Sequence, residues 1–172
     1  MTTFSVKLVN HTNATARLQQ VIKMNLRDLF NQVFSGTSNG AVVDWGTGSV
    51  SDSIVLHFVD DIVSSYLQQQ MSGNNIRGDA GGHTRTRGQI TGSEFYLHTG
   101  AGQTRRSLHD SAYARLAFHE ALHNQFPAWT DADMHGPNGG GGLAASPPQI
   151  PMTQENKELM RRGIAIKNSQ LL

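Results

Sequence analysis

Apolar and polar positions alternate over residues 4–9, FSVKLV, and predict a β-strand. From residue 13 the period changes. Leu18, Val21, Ile22, Leu26, Leu29, Phe30 and Val33 recur at steps of three and four. They lay one apolar stripe along a helix over 13–34, with Asn13 placed to cap it. Gly36 and Gly40 close this unit. Residues 41–45 (AVVDW) and 53–59 (SIVLHFV) predict two further strands, the second apolar enough to be central in a sheet. Residues 60–71 read as a short helix or an extended arm, and 72–88 as a long polar loop. QIT and SEFYLH, on either side of Gly92, predict a strand or hairpin continuing to His98.

Ser107 is a good helix N-cap with Asp110 three residues on, and a helix from 108 to about 126 follows. Pro127 ends it. An irregular segment containing GPNGGGG and SPPQIP leads to a last helix, opened by Thr153 with Gln154 and Glu155 in its first turn. No internal repeat is present. The order of elements predicts an α+β fold in a single domain.

Composition narrows the chemistry. The length, 172 residues, suffices for one hydrophobic core. Cysteine is absent, which excludes disulfides, thiolate ligands and a cysteine nucleophile. Any metal must be held by histidine and carboxylate. A formal net charge of +1 gives no electrostatic case for nucleic acid or an anionic membrane as partner. The N-terminus lacks the basic-then-apolar pattern of a classical signal peptide, and no stretch approaches the ~20 apolar residues of a membrane helix. A soluble protein is expected. Its compartment and oligomeric state are not readable from these residues.

The segment RLAFHEALHNQFPAWTDADMHG, residues 115–136, carries the strongest chemical signal. His119 and His123 stand four apart, one turn above each other on the same helix face, so two imidazoles can reach one ion. Glu120 is rotated by about 100° from His119 and can lean over the metal as a general base without ligating it. A chance occurrence on a decorative helix face is the plainer reading. It is disfavoured by small Ala117 and Ala121, by the preceding strands and by a further ligand candidate downstream. That third ligand is His135 first, with Asp131 and Asp133 as rivals. Three nitrogens plus a water would leave the open position of catalytic zinc.

The remaining candidates carry less. His57 in an apolar strand suits a satisfied sheet residue, and His98 could reach a cleft near the motif helix. His11, His83 and His109 have no geometric argument. Tyr96 and Tyr113 could hydrogen-bond an oxyanion, but core packing suits them better. No Gly-x-Ser-x-Gly elbow occurs. The glycines 139–142 lack the lysine of a phosphate loop and read as flexible backbone.

With H-E-x-x-H on a helix after a run of strands, the chain resembles the zincin metallopeptidases and, more narrowly, the metzincins. PMTQENKELMRRGI (151–164) is similar to the opening of the last helix in matrixin-type domains. The resemblance implies a mixed, twisted sheet of about five strands, an active-site helix behind it, and a C-terminal helix. It also implies an antiparallel edge strand that binds extended peptide, with GQITGSEFYLH as the region to provide it. Residues 1–126 would then supply the sheet and active-site helix, and 127–172 the third-ligand loop and closing helix.

Departures from the family pattern are specific. In H-E-x-x-H-x-x-G-x-x-H the glycine position is Phe126 and the last histidine position is Trp129. His135 serves only if the turn is six residues longer. Counting on to the family's methionine turn reaches LAASP (143–147), with Met152 as the other candidate. HGP at 135–137 is similar to the His-Gly pair that supplies the third ligand in SprT-type zincins. The expectation is a zinc metalloendopeptidase with one catalytic Zn²⁺, metal ligands His119, His123 and His135, catalytic base Glu120, and a peptide or protein substrate. The alternative is a zincin-fold metal-binding or interaction module without peptidase activity.

Overall fold

The alternating segment at the N-terminus forms β1 (Thr3–Asn10). β1 runs parallel to β2 (Gly40–Trp45) on one side and β3 (Ile54–Val59) on the other. The computed structural model describes residues 3–49, 51–59, 82–87, 90–96, 110–126 and 128–170. β5 (Ile90–Tyr96) continues the sheet parallel to β3, and β4 (Gly82–Arg87) pairs antiparallel with β5. The order is β2-β1-β3-β5-β4.

Among the described residues four α-helices accompany the sheet: α1 (Ala16–Phe34), α2 (Asp110–Gln125), the single-turn α3 (Asp131–His135) and α4 (Gln154–Gln170). The architecture is α+β. Phe4, Val6 and Leu8 of β1, with Ile54, Leu56 and Phe58 of β3, face the buried stripe Ile22, Leu26, Phe30 and Val33 of α1. Val55 and Val59, pointing to the other side of β3, are buried as well, as expected of a central parallel strand. Among the residues whose side chains are described, the sheet's share of this core comes from the three parallel strands β2, β1 and β3. β5 and β4 extend the ladder through backbone pairing.

Phe118 of α2 packs on Phe30 of α1, with ring centroids 5.3 Å apart. Tyr113, Ala114, Ala117, Ala121 and Leu122 are buried with it, so α2 is a central helix with apolar contacts on most of its circumference. Tyr113 is therefore a core residue. Arg161 of α4 donates to the carbonyls of Val33 and Ser35, satisfying the C-terminal end of α1 and tying the last helix to the first.

Several expectations are corrected. Thr15, not Asn13, caps α1, accepting from Leu18 N. The preceding residues spend their polar groups on a local turn instead, with Asn10 Oδ1 accepting from Thr12 and Thr12 Oγ1 from Ala14 N. Around Gly92, where a strand or a hairpin was expected, there is one continuous strand, β5, paired antiparallel with β4. Among the described residues the antiparallel edge strand is β4, from within the stretch read as a polar loop, and the GQITGSEFYLH region supplies an interior strand. GHTRTR lacks an apolar alternation; its threonines are the remaining strand signal. The readings of 60–71, Ser107, Pro127, His98 and His109 lie outside the described residues.

Candidate metal centre

Helix α2 delivers His119 and His123 from successive turns, and α3 returns the chain so that His135 meets them. The three Nε2 atoms form a nearly equilateral triangle: 3.1 Å from His123 to His119, 3.1 Å from His123 to His135 and 3.2 Å from His135 to His119. An ion about 2.0–2.1 Å from each nitrogen would sit roughly 1 Å above their plane, with N–metal–N angles of about 100°. That is a tetrahedron with one corner open.

Protonation agrees with this. His119 Nδ1 lies 2.9 Å from the Leu143 carbonyl, which can only accept, so Nδ1 carries the hydrogen and Nε2 presents its lone pair. Burial first, then the neighbouring His123 and last His135, lowers the His119 pKa to about 3 against the opposing pull of the Leu143 carbonyl. The imidazole is thus neutral at ordinary pH, the form a metal requires. Glu120, next to His119, is buried.

The rival ligands fall away on geometry. Asp133 Oδ2 accepts from Thr130 N and Thr130 Oγ1, both at 2.9 Å, while Thr130 Oγ1 accepts from Asp133 N. This reciprocal capping box builds α3, and the same bonds hold the Asp133 carboxyl below its usual pKa. Asp131 is exposed in the first turn of α3. Neither belongs to the group of side chains able to share an ion, which among the described residues is His119, His123 and His135.

The departures from the metzincin spacing also have a physical role. Phe126 and Trp129, at the family's glycine and histidine positions, stack with ring centroids 4.6 Å apart, and the Arg162 guanidinium of α4 lies over both. A Cβ on Gly163 would stand 2.4 Å from Gln125 Cβ, so glycine there lets α4 approach the end of α2. The longer route to His135 is packed against the last helix.

Asn156 is the residue that sequence reasoning missed. It is fully buried, its Oδ1 accepts from Leu143 N and Thr153 N, and its Nδ2 donates to the Gly139 and Gly141 carbonyls. The glycine run is therefore a pinned turn, and this corrects the reading of flexible backbone. Gly140, Gly141 and Gly142 have φ of 73°, 63° and 53°, a conformation that other residues rarely adopt. The turn sets the Leu143 carbonyl against His119. Leu143 itself is buried at the place where the family count reached LAASP, and Met152 packs at the core's margin.

Comparison of the chain with known protein families, with curated proteins and with solved structures finds no match. Among the described residues no helix is long and apolar enough to cross a membrane.

Proposed function

We propose that this chain is a zinc-dependent metallopeptidase of zincin type, metzincin-like with a lengthened route to its third ligand. The observation that carries the reading is the convergence of three histidine Nε2 atoms within 3.2 Å, beside a buried glutamate one residue after the first. The mixed sheet with an antiparallel edge strand, and the motif helix packed against it, support the same reading.

His119, His123 and His135 would hold Zn²⁺ through Nε2. Bound there, zinc supplies Lewis-acid polarisation of a peptide carbonyl and makes water acidic enough to ionise near neutral pH. Leu143 O fixes the His119 tautomer and ring direction. Glu120 takes the proton of the attacking water and passes it to the leaving amine. β4, the last strand on its side of the sheet among the described residues, offers backbone groups to an extended peptide substrate.

Glu120→Gln tests the assignment, because it keeps size and polarity and removes the base. The variant is expected to bind zinc as the wild type does and to lose ~10²-fold or more in cleavage of a mixed peptide library. Loss of the metal in this variant would make Glu120 a ligand and the assignment wrong. The alternative, a metal-binding module without turnover, is favoured by the stacked Phe126–Trp129 pair at the family's glycine and histidine positions. Equimolar zinc without cleavage of any library peptide by the wild type would establish it.

A further inference from the structure

The third histidine of the candidate centre is carried by an element that cannot stand by itself. α3 is a single turn of five residues, far below the ~12–15 at which an isolated helix becomes even marginally stable. Asp131 and Ala132 are exposed, and Asp133 is spent on the capping box with Thr130, which is itself exposed. That box fixes where α3 starts, not where it points. Met134 is different. It is fully buried, alone among the residues of α3, and belongs to the core that also holds Leu122 and Phe126 of α2, Leu143, and Leu159 of α4. Its backbone is held as well. Met134 N donates to the Thr130 carbonyl. A Cβ on Gly139 would stand 1.7 Å from the Met134 carbonyl oxygen, so the turn at Pro137–Gly139 lies directly on that carbonyl.

We infer that Met134 is a positioning residue for the third ligand, an apolar anchor whose seat in the core sets the direction of His135. Consecutive side chains of a helix point about 100° apart. With Met134 driven into the core, the His135 ring is turned to the core's rim, where its Nε2 lies 3.1 Å from His123 Nε2 and 3.2 Å from His119 Nε2. The Phe126–Trp129 stack fixes the chain just before α3, and the Met134 side chain fixes it one residue before the ligand. The inference rests on the proposed metal centre, but it concerns how the chain presents a nitrogen, not turnover.

The test measures Zn²⁺ affinity of the full chain by competition with a chromophoric chelator, together with amide hydrogen exchange of the metal-free protein. Met134→Ala empties the anchor's seat. It is expected to weaken zinc binding by about tenfold or more, the range of residues that orient a ligand, and to speed exchange at the N–H groups of residues 134 and 136. Met134→Leu, which keeps the volume, should return both to wild-type values. Two comparisons separate positioning from a general loss of packing. Leu26→Ala truncates a fully buried side chain of α1; it should melt earlier and, when folded, bind zinc as the wild type does. In the His135→Ala background Met134→Ala should cost no further affinity, because the ligand it orients is gone. Should Met134→Ala fail to fold, Met134→Val is read in its place against the same limits. Wild-type affinity in the folded variant overturns the inference and leaves the centre intact, as does an equal loss in the wild-type and His135→Ala backgrounds. A wild type without zinc affinity overturns the centre, and the inference with it.

Discussion

At the scale of single residues, the candidate centre depends on which side chain completes the pair on α2. Two histidines alone hold zinc weakly and leave its orientation loose; a third neutral imidazole fixes three corners of a tetrahedron. His135 has its Nε2 in place, whereas the Asp133 carboxylate is occupied in building the helix that carries His135. His135→Ala is accordingly expected to lower zinc affinity by orders of magnitude in competition with a chromophoric chelator. Asp131→Ala should leave affinity unchanged. Asp133→Ala should lower it by about tenfold or less, the range of residues that act by orienting a ligand. Stoichiometric zinc in His135→Ala, with its loss in an aspartate variant, would move the third ligand to a carboxylate. His119, Glu120 and His123 were legible because their grouping is local: helix periodicity alone puts two imidazoles on one face. The choice between His135 and the aspartates was not, because it turns on a capping box inside a single-turn helix.

At the scale of elements, the legible parts were those whose cause lies within a few residues. The stripe of α1 and the Thr153 opening of α4 are of this kind; Thr153 Oγ1 accepts from Asn156 N at 3.0 Å. β4 was not legible, since GHTRTR carries no apolar alternation. Asn156 was hidden for a different reason. In QENKELM it reads as one more polar residue in a first helical turn, but its bonds to Gly139, Gly141 and Leu143 span 13 to 17 residues of a left-handed glycine turn. Asn156→Ala would strand a buried Leu143 N–H and two glycine carbonyls, each costing ~1–3 kcal/mol where water cannot enter. The variant should melt earlier. Its folded fraction should also bind zinc more weakly, because the Leu143 carbonyl that holds His119 loses its support. Asn156→Asp keeps one acceptor but sets a second, charged oxygen against the Gly139 and Gly141 carbonyls, so it should be no milder than alanine. Unchanged zinc affinity in a folded Asn156→Ala protein would show that the turn holds Leu143 without it.

At the scale of the whole molecule, the centre couples metal, protons and folding. Burial keeps His119 neutral in the folded chain down to about pH 3, whereas an unfolded histidine takes its proton near pH 6.5. Between these values the unfolded state binds more protons, so the metal-free protein loses stability as pH falls, by up to ~1.4 kcal/mol per unit from this one group. Stability at pH 7 is unaffected by that group, since both states are then largely neutral. Urea midpoints of chelator-treated protein should therefore decline between about pH 7 and about pH 5, and the decline should be shallower in His119→Asn, which has no proton to take. Zinc acts in the opposite direction at neutral pH. An ion that binds only the folded state adds about 4 kcal/mol when present at a thousand times its dissociation constant. Histidine binds a metal only in its unprotonated form, so this increment should shrink as the solution is acidified. The expected result is a melting temperature that chelator lowers strongly near neutral pH and much less near pH 5, with His135→Ala showing little chelator effect at either. A wild-type melting temperature indifferent to chelator at neutral pH would mean that the triangle of nitrogens is held by packing alone and that no metal is part of the folded protein.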